Sequence, residues 1–116
     1  MELVLASTGE LEKYFKEWRW YAEKICVKVK ELLGDDASVI VFGSVVRGEW
    51  SSSESDIDIL IISDKIPKEP YKQAELRVSL REFLGDLFAP FEFHLATWRE
   101  YREWYSKFID AEEKIC

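Results

Sequence analysis

Apolar residues along the chain fall into six groups, and their spacing changes four times between helical and extended. The first group is Leu11, Tyr14, Phe15, Trp18, Tyr21, Ala22, Ile25, Val29, Leu32 and Leu33, with Lys and Glu on the opposite side. Steps of three and four predict one amphipathic helix with its apolar face on a core. Ser7 followed by Glu10 fits a capping box at its start, and Gly34 supplies the stop. Ser38 to Phe42 and Ile57 to Ile62 then read as two strands, nearly apolar on both faces, and so as inner strands covered on two sides. Asp64 to Pro70 carries two prolines and reads as a loop. Pro70 suits a first helical position, opening a helix to Leu84 that buries Leu76, Leu80, Phe83 and Leu84 before Gly85 ends it. After Pro90, Phe91, Phe93 and Leu95 alternate with Glu92, His94 and Ala96, a short strand with Glu92 and His94 on one face. Thr97 and Glu100 form a second capping box. The last helix carries Trp98, Tyr101, Trp104, Tyr105, Phe108 and Ile109 and is expected to fray toward the C-terminus. The order α-β-β-α-β-α predicts an α/β (α+β) fold, a small mixed sheet flanked by helices, with residues 1–116 as a single domain.

Composition narrows the function classes. A length of 116 residues fits one domain with a modest core. No apolar run approaches the roughly 18–20 residues of a membrane span, and the N-terminus lacks a basic-then-apolar leader, so a cytoplasmic location is expected. A formal net charge of -7 weighs against a general nucleic-acid binder, which needs a basic face to displace counterions. It leaves room for a nucleotide site, which works through local dipoles and metals. Cys26 and Cys116 have no metal-ligand spacing and are expected to be a packed helix residue and a terminal thiol. The chain has no asparagine and one glutamine among many Lys and Glu, a composition that leans toward a thermophile.

The candidate chemistry is concentrated between Val39 and Ile62. Asp56 and Asp58 stand two apart at a strand, which directs both side chains to one face. Adjacent carboxylates repel unless a proton or a cation lies between them, and oxygen-only donors suit Mg²⁺ or Mn²⁺. Two acids at a strand start also serve as solvated turn residues, so the neighbours decide. Gly43 lets the backbone approach a ligand closely, and the N–H groups of a turn opening there make an anion nest. The Ser44 hydroxyl can hydrogen-bond a phosphate, and Arg47 lies close enough in sequence to pair with phosphate or to brace Asp56. Together these describe a nucleoside-triphosphate site.

GSVVRG, a short loop and SDIDI resemble the G-S-x-x-R-G…S-D-x-D signature of the DNA polymerase β-like nucleotidyltransferases. The size is similar to that of the minimal nucleotidyltransferases of that superfamily. The resemblance implies the nucleotidyltransferase fold, with Gly43, Ser44 and Arg47 around the triphosphate. It also implies two Mg²⁺ ions on Asp56, Asp58 and a third acid from the next strand. Glu92 is the best match for that acid, where an aspartate is commoner, and His94 on the same face is the reserve. Asp86 ranks lower because it falls in the preceding turn. The implied reaction moves a nucleoside monophosphate, AMP from ATP, to a hydroxyl acceptor, with Glu92 helping to deprotonate it.

The acceptor is constrained by length, since the chain has no room for the separate substrate domain of larger relatives. An aminoglycoside-type small-molecule enzyme is therefore the weakest reading. The resemblance points instead to a HEPN-type helical protein, in a toxin–antitoxin pair whose toxin is adenylylated on a tyrosine. The five tryptophans offer candidate contact surface, and self-association into a homo-oligomer is left open. The alternative is a non-catalytic antitoxin that neutralises its partner by contact alone.

Overall fold

A computed structural model describes residues 8–51 and 55–116 of the chain. The elements run α1 (Thr8–Lys16), α2 (Trp18–Leu33), β1 (Ser38–Phe42), α3 (Ser44–Arg47), β2 (Ile57–Ile62), α4 (Pro70–Leu84) and β3 (Phe91–Ala96). They end with α5 (Trp98–Glu100), a π turn (Tyr101–Tyr105), α6 (Ser106–Phe108) and β4 (Glu112–Lys114). The four strands form one mixed sheet in the order β3-β2-β1-β4. β1 pairs antiparallel with β2 and β4, whereas β2 and β3 run parallel, joined by the crossover helix α4. The fold class, the three central strands and the inner placement of β1 and β2 match the sequence reading.

The first helix is not continuous. Glu17 leaves helical geometry at φ -112°, ψ 28°, although Glu17 N–H still donates to Lys13 O and Tyr21 N–H to Glu17 O. The chain therefore bends rather than stops. On α1, before the bend, Phe15 lies flat on Trp50, with ring centroids 5.0 Å apart, while Tyr14 meets the edge of Phe91 at 5.7 Å. The capping box proposed at Ser7 and Glu10 lies outside the described residues and side chains.

The sheet has two unlike faces. Val39, Val41, Ile57, Ile59, Ile61, Phe91, Phe93 and Leu95 point into the main core beneath α1, α2 and α4. Ile40, Leu60, Ile62 and Ala96 point the other way and are covered by Trp98, Tyr101, Tyr105 and Ile109 of the C-terminal helical segment. Leu32 and Phe83, expected in the core, are each 42% exposed at the edges of the α2 and α4 stripes. The π turn has a direct use. Tyr101, Tyr105 and Ile109 are spaced by four, and 3.6 residues per turn would swing each about 40° from the last. Widening the turn so that Ser106 N–H reaches Tyr101 O keeps them in line on the sheet. Trp104 and Phe108, also expected on that face, are turned outward.

The C-terminal residues do not fray. β4 pairs with Ile40 to Phe42, Ile115 N–H donates to Val39 O, and Cys116 forms a disulfide with Cys26 of α2, Cα to Cα 6.4 Å. Arg19 grips Glu113 with both Nε and Nη2, at 2.9 and 3.0 Å. Cys26 and Cys116 are thus neither simple packing nor a loose thiol, because β4 carries Cys116 across the sheet to α2. No described helix is long and apolar enough to cross a membrane.

Candidate active site

Among the described residues, the C-terminal helical segment covers the second face over Ile40, Leu60, Ile62 and Ala96, and polar residues take the positions beyond. Register sets the neighbours there. Phe42 lies opposite Asp58 in the antiparallel pair, Asp58 opposite Glu92 in the parallel pair, and His94 one row further, opposite Leu60. Alternation sends Ile57 and Ile59 into the main core, so Asp58 has to emerge on the second face. The same parity brings out Glu92 and His94 between Phe91, Phe93 and Leu95.

These side chains converge. His94 Nε2 lies 3.2 Å from Asp58 Oδ1 and 3.9 Å from Glu92 Oε1. One ligand atom from each of the three lies within 4.8 Å of the others, and such a group could hold a metal ion. The Asp58 and His94 side chains are about three-quarters buried, whereas Glu92 is 56% exposed. The Phe42 ring tilts against the imidazole at 5.2 Å and walls one side.

Gly43 closes the site from the β1 side. Its backbone has φ 86° and ψ -153°, a conformation that side-chain-bearing residues do not comfortably adopt. A Cβ placed there would stand 2.8 Å from Asp58 Oδ2. Both the direction of the turn and the space for the carboxylate therefore require glycine. The single turn of α3 follows, with Val46 and Arg47 N–H groups donating back to Gly43 O. Gly43 N–H itself is taken by Ala111 O, at 3.2 Å, so that donor of the expected nest is committed to the C-terminal segment.

Asp56 precedes β2 by one residue, is exposed, and does not belong to the three-residue group of Asp58, Glu92 and His94. Ser44 is half-buried at the start of α3. Arg47, considered from sequence as a brace for Asp56, instead pairs with Glu49 at 3.2 Å and Asp110 at 3.0 Å. The reason is β4: its docking on β1 brings Asp110 alongside α3, a neighbour that no local pattern announced. Asp86 lies away from Asp58, on the main-core side, where Tyr14 OH donates to its Oδ2 at 2.5 Å. That bond, with help from Phe88 N–H, Lys13 and Arg81, holds the Asp86 carboxyl below its ordinary range. Burial foremost, then the Asp86 carboxylate, pushes the Tyr14 hydroxyl up. A cleft of roughly 490 Å³ beside them, lined by Lys13, Trp20, Tyr21 and Phe83, is separate from the carboxylate group.

A small sheet with an Asp from one inner strand, a Glu and a His from the parallel neighbour, and a glycine turn pressed on the Asp is a specific arrangement. The nucleotidyltransferase domain family model matches residues 22–116. A candidate nucleotidyltransferase from Sulfolobus solfataricus shares the fold with a TM-score of 0.59, over 97% of this chain and 90% of its own, at 18% identity. Another candidate nucleotidyltransferase of known crystal structure is 28% identical, with a TM-score of 0.53 over 87% of this chain and 96% of its own. No curated protein matches the chain. The family match takes in most of the sequence, including every element of the second face, and the chain belongs to the nucleotidyltransferase domain family.

Proposed function

We propose that this protein transfers AMP from ATP to a hydroxyl acceptor, a tyrosine of a HEPN-type helical partner, as the antitoxin of a toxin–antitoxin pair. The observation that carries the reading is the packing of the Gly43 turn against Asp58, with Glu92 and His94 alongside. It supports a triphosphate lying along residues 43–47 with its α-phosphorus near Asp58. In this reading the Ser44 hydroxyl donates to a phosphate oxygen, and Arg47 exchanges Glu49 or Asp110 for phosphate.

The donor set fits a divalent cation. Asp58 and Glu92 would hold it, with Asp56 close in sequence for a second ion. Such an ion, when bound, neutralises charge on the phosphate oxygens and on the leaving pyrophosphate. Glu92, the most exposed of the three, accepts the proton of the attacking hydroxyl, a role worth roughly 10²–10⁴-fold. The acceptor oxygen bonds to the α-phosphorus as the bond to the bridging oxygen of pyrophosphate breaks.

Trp104 and Phe108, with ring centroids 4.8 Å apart and both well exposed, lie on the segment that covers the rest of this sheet face. They offer apolar surface where a partner presenting a tyrosine would rest. A cytoplasmic setting in a thermophile is supported by the amide-poor composition together with the disulfide, a combination familiar from heat-adapted intracellular proteins.

The test is incubation with labelled ATP, Mg²⁺ and the HEPN-type partner, beside an Asp58→Asn variant. Label should reach the partner with wild type and fall at least about 10²-fold with the variant. If neither transfers label while both suppress the partner, contact-only neutralisation replaces the enzymatic reading.

A further inference from the structure

His94 gives this face a donor that a set of carboxylates lacks. Its Nε2 points between the two acids, 3.2 Å from an oxygen of Asp58 and 3.9 Å from one of Glu92. Two atoms each about 2.1 Å from one ion stand about 3.0 Å apart at a right angle and about 4.2 Å when opposed. Both separations fall within that range and the three ligand atoms all lie within 4.8 Å of one another, so the nitrogen can join both carboxylates on one ion once their oxygens stand within about 4.2 Å. Phe42 packs on the ring and the β3 ladder fixes the backbone, which leaves the imidazole little freedom to swing away.

Resting on the nucleotidyl-transfer reading of the same face, we propose that His94 is a metal ligand and makes the site prefer a borderline divalent transition ion over Mg²⁺. Two carboxylates and a neutral imidazole carry one negative charge less than three carboxylates. A hard, strongly hydrated ion such as Mg²⁺ loses more from that than an ion with affinity for nitrogen. The gain from an imidazole grows along Mn²⁺, Co²⁺ and Zn²⁺, so affinity should climb steeply along that series. The opposing explanation is that His94 only donates a hydrogen bond to Asp58 and orients it. Then its loss would weaken every ion alike.

Calorimetric dissociation constants for Mg²⁺, Mn²⁺, Co²⁺ and Zn²⁺, without nucleotide, separate the two. The proteins compared are wild type, His94→Ala and Asp58→Asn, each checked for folding by circular dichroism. Wild type should bind Co²⁺ and Zn²⁺ at least about 100-fold more tightly than Mg²⁺. His94→Ala should lose about 10- to 100-fold for those two ions, with Mg²⁺ within about threefold and the Co²⁺ absorption bands shifted as nitrogen leaves. Asp58→Asn should weaken all four. Equal losses for all ions in His94→Ala, no loss at all, or no binding by wild type would overturn the proposal. The labelled-ATP assay is read separately. Transfer with an unchanged ion preference in His94→Ala sinks the His94 assignment alone. The predicted preference without transfer sinks the transfer reading alone.

Discussion

At Gly43 a backbone requirement and a packing requirement fall on the same residue. The backbone conformation excludes most side chains, and the Cβ position is filled by Asp58 Oδ2 at 2.8 Å. Gly43→Ala should lower folding stability by about 1–3 kcal/mol, measured by denaturant titration, and weaken ATP binding as Asp58 is pushed aside. Tyr14 and Asp86 make a second residue-scale prediction. The Asp86 carboxyl is held low in the folded state, so its stabilisation is present above about pH 4 and lost as pH falls through the folded value. The Tyr14 hydroxyl is raised, so its stabilisation is present below about pH 10 and lost as pH rises toward the folded value. Tyr14→Phe should cost about 1–2 kcal/mol at neutral pH and flatten the fall in unfolding midpoint at both extremes. Unchanged acid and alkaline limbs would show that the pair contributes nothing. Asp58, Glu92 and His94 were legible at this scale because strand parity alone decides which side chains share a face. Arg47 was not, since its Asp110 partner is 63 residues distant.

Among the elements, β4 and the disulfide depart most from what the sequence suggested. Glu112 to Lys114 has no apolar alternation, so it looks like a tail. It is a strand only because β1 offers an edge, Arg19 grips Glu113, and Cys116 reaches Cys26. The cysteine pair and the apolar Ile115 were the available signals, and both become informative only once the fold is known. Because the disulfide joins residues 90 apart, its reduction or Cys116→Ser should cost roughly 3–5 kcal/mol in stability, read from urea curves with and without reductant. Since Ala111 O takes Gly43 N–H and Asp110 pairs with Arg47, loosening this segment releases both groups toward the phosphate, and nucleotide affinity should hold or rise in the same variant. The three central strands, α4 and the Thr97–Glu100 capping box could be read locally because periodicity, Pro70 and Gly85 agree there. The bend at Glu17 could not, since no Gly or Pro marks it and the apolar spacing runs through it unbroken.

At the scale of the described residues, α1, α2 and α4 pack on one side of the sheet, and the C-terminal helical segment packs on the other over Ile40, Leu60, Ile62 and Ala96. Of the three metal-ligand candidates, Glu92 is the most exposed, and Asp58 and His94 lie about three-quarters buried behind it. The family was legible from Gly43 to Ile59 because turn, helix start and strand parity together hold Gly43 against Asp58. The acceptor was not, because its recognition depends on the exposed surface that Trp104 and Phe108 help to form. The most direct test is a crystal structure of the complex with a non-hydrolysable ATP analogue and a divalent ion. The triphosphate should lie along residues 43–47, with the ion between Asp58 and Glu92. A nucleotide seated instead in the cleft lined by Trp20, Tyr21 and Phe83, with no ion at Asp58, would contradict the account.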